Sequence, residues 1–406
     1  MGILSPVLQQ ILFRPGANSV ALTLSGNEIT DAVRALGVQG DGLPQGSGFG
    51  IWPAATNLEA NGGAETNTTG HAAGGTNTVA RSTAQAKFGA ASFLCTYQDN
   101  AVLDSVALTL TAAVHSAQRH IYIPTAYDGT QISVQFSGYV GATGTLSVNA
   151  DMALRDQWQR VVVPNVTIVA GDLVGAVIVS ESGTPTAGRF IYVDGCQTEA
   201  LAVATPYIET DGATAARSAA RVQAPVAGLF TPAQGWVAIR FRAGWGSDPG
   251  TTPTFFSWAD AGNDRIELLW TAGSYTTRRD NVGVGDAAAS VTNTPSLDDF
   301  VTLLFKWHPT AGLSLSRNGA AFVDGGAGSN IPTLSAATCD LGTSSHTLTR
   351  LIASSVLWFA CGKGTLGKGD AALINSFGSN DVGLEAFPGE PTGFWSARNG
   401  FMEIAS

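Results

Sequence analysis

The stretch QISVQFSGYVGATGTLSVNA, residues 131–150, contains two alternating segments on either side of a glycine-rich turn. Ile132, Val134 and Phe136 alternate with polar residues in the first segment, and TLSVNA repeats the pattern in the second. Period-two alternation places the apolar side chains on one face of a β-strand, and Gly141–Gly144 supplies a turn. The stretch therefore predicts two short strands that share one buried face.

The same alternation recurs along most of the chain. It is found in WQRVVVPN (158–165) and RFIYVDG (189–195), and again in GWVAIRFRAGW (235–245), RIELLWTAG (265–273) and FVTLLFKW (300–307). Asn318-Gly319 is a two-residue hairpin signal. Forty-nine glycines and only 13% charged residues suit many short strands better than a helical bundle. The sequence thus predicts an all-β protein with two tandem β-sandwich (jelly-roll) domains.

Four segments are predicted along the 406 residues. Residues 1–48 form an attachment segment with one short amphipathic helix in SGNEITDAVRALG. Residues 49–210 form the first jelly roll, 211–225 a linker marked by the turn at Thr-Asp-Gly-Ala, and 226–406 the second sandwich. A lone helix is expected in LGKGDAALINSFG, residues 366–378, within the second sandwich.

Charge and composition exclude several classes of partner. The formal net charge is −10 and no cluster of Lys and Arg is present, so we expect no nucleic-acid binding. No run of about 18 apolar residues occurs, so we expect no membrane insertion. The first residues, MGILSPVLQQILFRPG, lack a basic segment and a cleavage site, so no signal peptide is expected.

The four cysteines, Cys95, Cys196, Cys339 and Cys361, are widely spaced and form no CxxC pair. We interpret them as buried reduced thiols, because a free cysteine behaves as a small apolar residue. A bridge between Cys95 and Cys196 is the alternative if the ends of the first domain are neighbours.

Signals for catalysis are absent from the sequence. No GxSxG and no HExxH motif is present, and the five histidines do not cluster. Glu209-Thr210-Asp211 begins the Glu-x-Asp-x-x-Glu pattern of sandwich-type glycan hydrolases, but no second Glu follows it. We therefore expect that the protein is not an enzyme.

Residues 57–93, beginning NLEANGGAETNTTGHAAGG, resemble the opening of carbohydrate-binding-module jelly rolls. The Asn-Gly-Gly-x-Glu turn, the Thr-Thr-Gly step and the Lys-Phe-Gly-x-x-Ser strand carry this resemblance, with Ala64 where an aromatic residue is usual and His71 where tryptophan is usual. The closing stretch YVDGCQTEALAVATPYIETDGATAAR is similar to the way such modules end in bacteriophage virion proteins.

The second half resembles the concanavalin-like, laminin-G-like lectin sandwiches of phage tail fibres and spikes. GWVAIRFRAGW, WADAGNDRIELLW, LFKWHPTAGLSLSRNG and VLWFACGKGTLGKGDAALI carry this resemblance. It implies a virion protein, exposed on the particle surface after assembly in the host cytoplasm, that binds host surface polysaccharide. It also implies other virion proteins as partners of residues 1–48, and a homo-oligomer. A purely structural decoration or cement protein, and a glycan-degrading depolymerase, remain as alternatives.

Two polar stretches beside predicted strands suit a sugar-binding surface. They contain Trp258, Asp260, Asn263, Tyr275, Arg278, Arg279, Asp280 and Asn281. Aromatic rings stack on the apolar faces of a pyranose, and Asn, Asp and Arg bind its hydroxyl groups. A structural role is the alternative, since Trp258 also fits a core position and DAGNDR also fits an ordinary hairpin turn.

The resemblance of the first half further implies a structural calcium ion (Ca2+) near the joined ends of the jelly roll. Glu65 and Asp194 match the positions that supply its carboxylates. The alternative is that Glu65 caps a turn and Asp194 ends a strand.

Overall fold

The structure is a computed structural model that describes Thr23–Ser25 and residues 49–362, without 100, 172, 220, 227–229, 247, 248, 250, 261, 262, 294, 297, 298 and 345–349. Within these residues every regular element is a β-strand, which confirms the predicted all-β class. Both predicted helices lie outside the described residues. No helix in the described part of the chain is long and apolar enough to cross a membrane.

The described residues divide into two compact units. Residues 54–218 form one unit, called the jelly-roll unit below. Residues 49–53 and 219–362 form the other together with Thr23–Ser25, and this is called the lectin-like unit below, a label taken from the sequence resemblance alone. The strands before the jelly-roll unit are β1 (Thr23–Ser25) and β2 (Phe49–Ile51).

The jelly-roll unit contains two five-stranded antiparallel sheets. Its strands are β3 (Ala55–Asn57), β4 (His71–Ala72), β5 (Thr78–Ser82), β6 (Ser92–Thr96), β7 (Val102–Thr109), β8 (Val114–Tyr122), β9 (Gln131–Ser137), β10 (Ser147–Asn149), β11 (Trp158–Thr167), β12 (Val174–Ser182), β13 (Phe190–Glu199) and β14 (Ala215–Arg217). The strand orders are β10-β9-β12-β7-β4 and β11-β8-β13-β6-β5, and β14 pairs with β3. Side chains from both sheets, among them Phe93, Ile121, Val134 and Val193, form one buried apolar cluster.

The lectin-like unit contains a larger pair of antiparallel sheets. After β14 its strands are β15 (Arg221–Pro225), β16 (Gly235–Arg242), β17 (Thr254–Ala259), β18 (Arg265–Thr271), β19 (Ser274–Asn281), β20 (Val284–Gly285), β21 (Ser290–Thr292), β22 (Phe300–His308), β23 (Gly312–Arg317), β24 (Val323–Asp324), β25 (Thr338–Leu341) and β26 (Ser354–Gly362). The orders are β1-β15-β25-β17-β18-β19-β20, with β21 also on β19, and β2-β26-β16-β22-β23-β24. Its core is rich in aromatic contacts such as Phe241 with Phe255 and Phe230 with Trp307.

Several local predictions are confirmed by the strand register. In the first quoted stretch, Val134 on β9 lies opposite Val148 on β10. Asn318 and Gly319 both have positive φ, and the Ala320 amide donates to the Arg317 carbonyl at 3.0 Å, as a two-residue hairpin turn requires.

The boundaries between the predicted segments differ from the structure. β2 pairs with β26, so residues 49–51 belong to the lectin-like unit and not to the first jelly roll. The predicted linker, 211–225, contains β14, which pairs with β3, and β15, which pairs with β25. The backbone groups of these short strands form hydrogen bonds with strands far away in sequence. No local pattern in the sequence therefore predicts them.

The cysteines are free and buried, so the expected reduced thiols are confirmed and Cys95 is not bridged to Cys196. Strand β13 also continues past the predicted end at Gly195. A register shift between Asp194 and Gln197, with Gly195 at a φ of 56°, forms a bulge that lets pairing with β8 resume.

Candidate functional site

Both aromatic residues predicted to bind a glycan belong to the core of the lectin-like unit. Trp258 is 3% exposed, packs against Phe230, and donates from Nε1 to the Ala336 carbonyl at 3.0 Å. Tyr275 is fully buried and packs edge-on against Phe255. This placement corrects the prediction, because a dissolved glycan has no access to either ring.

Arg279 is also fully buried and has a structural role. Its Nε donates to Asp286 Oδ2 at 2.6 Å, and the two side chains form an ion pair with no exposed surface. Its remaining nitrogens donate to the backbone carbonyls of His308 at 3.0 Å, Gly328 at 3.2 Å and Ala233 at 3.4 Å. The guanidinium therefore joins several chain segments and does not lie at the predicted glycan surface.

The other five predicted residues gather at one end of strands β17, β18 and β19. Asp260 accepts hydrogen bonds from the amides of Ser335 and Ala336, and the Asn263 side chain accepts one from Arg265. Asp280 is almost fully buried between Arg265 and the half-exposed Arg278, and Asn281 ends the strand. These contacts stabilise turns and strand ends. The rings of Trp258 and Tyr275, which were predicted to stack on a sugar, do not lie at the surface beside them.

A row of aromatic rings that sequence reasoning missed lies on the outer face of the β11-β8-β13 sheet. Trp158 on β11 is opposite Tyr122 on β8, and Tyr122 is opposite Tyr192 on β13. The ring centroids are 5.7 Å and 5.8 Å apart. Phe190, two residues before Tyr192, extends the row with a separation of 5.6 Å. These four residues are called the aromatic row below.

The aromatic row lies partly open to solvent. Trp158, Tyr122 and Phe190 are half-buried and Tyr192 is 8% exposed, whereas the residues that alternate with them, such as Ile121 and Ile191, have no exposed surface. The register explains this difference, because the row occupies the face of the sheet opposite to the core. Half-buried aromatic rings on a sheet surface are suited to stacking against an apolar ligand face.

Polar side chains lie in the loops at one end of the aromatic row. Asp156 accepts hydrogen bonds from Thr125, and partial burial together with this carboxylate raises the pKa of the Tyr122 phenol. Asp128 accepts from Thr186 at 2.6 Å and pairs with Arg189, and both side chains of this ion pair are about two-fifths exposed. Half-exposed carboxylates and a guanidinium beside aromatic rings provide the hydrogen-bonding rim that a sugar site needs.

The alternation in the sequence contained a signal for part of this row. In RFIYVDG, Phe190 and Tyr192 alternate with the buried Ile191 and Val193, so they must face outward if the latter face the core. The neighbours Tyr122 and Trp158 come from other strands, and only the strand register brings them to the same place.

The two carboxylates predicted to bind calcium converge near Gly63. A Cβ atom on Gly63 would lie 3.1 Å from Asp194 Oδ1 and 3.6 Å from Glu65 Oε1. Asp194 Oδ2 accepts the amides of Lys87 and Phe88, Oδ1 accepts that of Gly195, and Glu65 accepts that of Ala90. The capping role that was the alternative is therefore present in the structure.

Burial raises the pKa of the Asp194 carboxyl to about 7, although three backbone amides act in the opposite direction. A cation next to Asp194 and Glu65 would offset the cost of burying this charge. Two converging carboxylates fit the oxygen chemistry of Ca2+, which takes six to eight oxygen ligands.

Comparison with known proteins gives only distant similarities. No protein-family model and no curated protein matches the sequence. The tandem CBM22 domains at the N-terminus of Paenibacillus barcinonensis Xyn10C are 12% identical, cover 77% of this chain and 98% of theirs, and have a TM-score of 0.30.

Two further solved structures are similarly distant. Domain 4 of AbnA, a GH43 extracellular arabinanase from Geobacillus stearothermophilus in complex with arabinotriose, is 17% identical over 43% of this chain and 81% of its own, at a TM-score of 0.30. The heptameric SAP-like pentraxin from Limulus polyphemus is 13% identical over 38% and 75%, at a TM-score of 0.30. Scores this low assign neither a family nor an activity to the chain.

Proposed function

We propose that this protein is a non-enzymatic, virion-attached glycan-binding protein of a phage or phage-like particle, a spike or fibre component for adsorption. The ligand is a host surface polysaccharide, and the aromatic row of the jelly-roll unit is its binding surface. The observation that carries the proposal is the cross-strand alignment of Trp158, Tyr122 and Tyr192.

The chemistry of this surface matches that of a pyranose. The C–H faces of a sugar ring are apolar and pack on aromatic rings, while its hydroxyl groups need polar partners at the edge. The row supplies the rings, and Asp156, Asp128 and Arg189 supply the partners. The net charge of −10 favours a ligand that is not a polyanion.

Attachment and oligomerisation complete the proposal. Residues 1–48 bind other virion proteins, and several copies of the chain on one particle would strengthen a weak sugar site through avidity. The sequence resemblance to phage appendage proteins motivates this part. Labelling of the chain on purified particles, followed by electron microscopy, tests whether it lies on the surface.

A glycan array with the full chain tests the proposed ligand class. We expect binding to specific polysaccharides of bacterial surfaces, weaker binding by Trp158→Ala, and unchanged binding by Phe300→Ala. Phe300 is a matched control because it is an aromatic residue in the lectin-like unit with 48% of its surface exposed. If no glycan binds although the chain is folded, the purely structural alternative, a decoration or cement protein, replaces this proposal.

We further propose that Glu65 and Asp194 hold a structural calcium ion in the jelly-roll unit. The proposal is supported by their convergence at Gly63 and by the raised pKa of Asp194. Bound calcium would stabilise the fold and take no part in catalysis. The midpoint of thermal unfolding should rise with Ca2+ and return to its starting value with a chelator.

A further inference from the structure

A cluster of side chains with the chemistry of metal ligands lies inside the jelly-roll unit. Glu59, His71 and Cys196 each offer one ligand atom, and these atoms lie within 4.8 Å of one another. Glu59 and Cys196 have no exposed surface, and the His71 side chain is 1% exposed. Carboxylate oxygen, imidazole nitrogen and thiolate sulfur together are the ligand set of zinc and related transition metals.

The surroundings of His71 orient its ring as in known metal sites. Nδ1 lies 2.9 Å from Asp104 Oδ1, so the carboxylate fixes the ring, and Nε2 becomes available to a metal when its hydrogen bond to the Asn61 carbonyl, at 2.8 Å, is given up. Phe93 stacks on the imidazole with a centroid distance of 3.7 Å. A metal-bound histidine generally donates its second ring nitrogen to a carboxylate in this way.

Glu59 is held by one oxygen only. Its Oε1 accepts hydrogen bonds from Arg119 at 2.8 Å and from Thr198 at 2.5 Å. Its Oε2 is buried and has no hydrogen-bond partner. Burial of an unpaired carboxylate oxygen is unfavourable, and a cation or a hydrogen-bond donor beside this atom would offset that cost.

The charges balance when a divalent metal replaces two protons. Nε2 of His71 lies 2.8 Å from the Asn61 carbonyl, a contact that requires a proton on Nε2 in the metal-free protein. The Cys196 thiol has no exposed surface, so its thiolate form needs a compensating cation beside it. Exchange of the Nε2 and thiol protons for Zn2+ leaves the net charge of the cluster unchanged.

We propose that Glu59, His71 and Cys196 form a binding site for a zinc-like divalent transition metal. Glu59 Oε2, His71 Nε2 and Cys196 Sγ are the protein ligands, with Asp104 and Arg119 holding two of them in position. This site is separate from the calcium site at Glu65 and Asp194 in ligand chemistry, because Ca2+ prefers oxygen ligands alone. It is also independent of glycan binding.

Metal analysis of the full chain tests the site. Protein is equilibrated with Zn2+ at neutral pH, passed through gel filtration, and its zinc content is measured. We expect one zinc per chain in the wild type, none in Cys196→Ser, and one in Cys339→Ser. Cys339 is a matched control, since it is a buried cysteine of the lectin-like unit that forms no disulfide.

Replacement of zinc by Co2+ gives an independent readout, because a thiolate ligand produces a charge-transfer absorption band. That band should be present in the wild type and absent in Cys196→Ser. Asp104→Asn keeps all three ligands and should weaken metal affinity by about 10–100-fold, which covers the case in which Cys196→Ser fails to fold. A folded wild type that retains no zinc, or a Cys196→Ser protein that retains it fully, would overturn the proposal.

Discussion

Arg278 and Arg279 are consecutive residues of β19, and their substitution by alanine should have very different effects on stability. The Arg279 guanidinium is buried against the fully buried side chain of Asp286 and also donates to three backbone carbonyls. The Arg278 side chain is 43% exposed, and its partner is the neighbouring Asp280. The two variants change the same residue type by the same number of atoms.

The burial of each side chain sets the expected magnitude. Removal of one partner of a buried ion pair leaves an uncompensated charge and costs about 3–5 kcal/mol. An exposed ion pair contributes at most about 1 kcal/mol. For a unit of this size, about 3–5 kcal/mol corresponds to a decrease of roughly 6–20 °C in the unfolding midpoint. Arg278→Ala should therefore unfold close to the wild-type temperature, and Arg279→Ala far below it.

Tryptophan fluorescence during denaturant unfolding is the appropriate assay. Trp236, Trp245, Trp258, Trp270 and Trp307 are buried in the lectin-like unit, so the signal reports mainly on the unit that contains both arginines. Equal midpoints for the two variants, or a loss below about 1 kcal/mol for Arg279→Ala, would refute the buried ion pair.

Three further predictions concern single positions. Trp258→Ala should lower the free energy of unfolding by about 3–5 kcal/mol and leave glycan affinity unchanged in the folded fraction, as measured by denaturation and glycan titration. Asn318→Ala should cost about 1 kcal/mol because alanine tolerates positive φ poorly and because the Asn318 side chain accepts the Thr302 amide, while Asn318→Gly should cost less in the same assay. Asp194→Asn should abolish the rise of the unfolding midpoint on addition of Ca2+, and a rise that persists in this variant would exclude Asp194 as a ligand.

The strands of the core could be predicted from the sequence because their signal is local. Alternation within five to nine residues predicts β9, β16, β18 and β22, and Asn318-Gly319 marks its own turn. β2 is only three residues long and pairs with a strand some three hundred residues later. No local pattern contains that information, so the boundary at residue 49 was misplaced.

The candidate site was predictable only in part for the same reason. The density of polar residues in SYTTRRDN suggested a binding surface, but the pairing of Arg279 with Ile266 places this arginine on the core-facing side of the sheet. Its partner Asp286 lies after the next turn and gives no sequence signal. Conversely, the outward direction of Phe190 and Tyr192 follows from alternation. The proximity of Tyr122 and Trp158 to these two residues follows only from the register of three strands.

The affinity of the full chain for the polysaccharide selected on the glycan array tests the aromatic row most directly. Loss of about 50 Å² of ring surface from the contact, at about 25 cal/mol per Å², weakens binding by about 1.2 kcal/mol, or roughly tenfold in Kd. Isothermal titration should therefore give a Kd about ten times higher for Trp158→Ala and an unchanged Kd for Phe300→Ala. Equal Kd values for wild type and a folded Trp158→Ala protein would contradict glycan binding at this row.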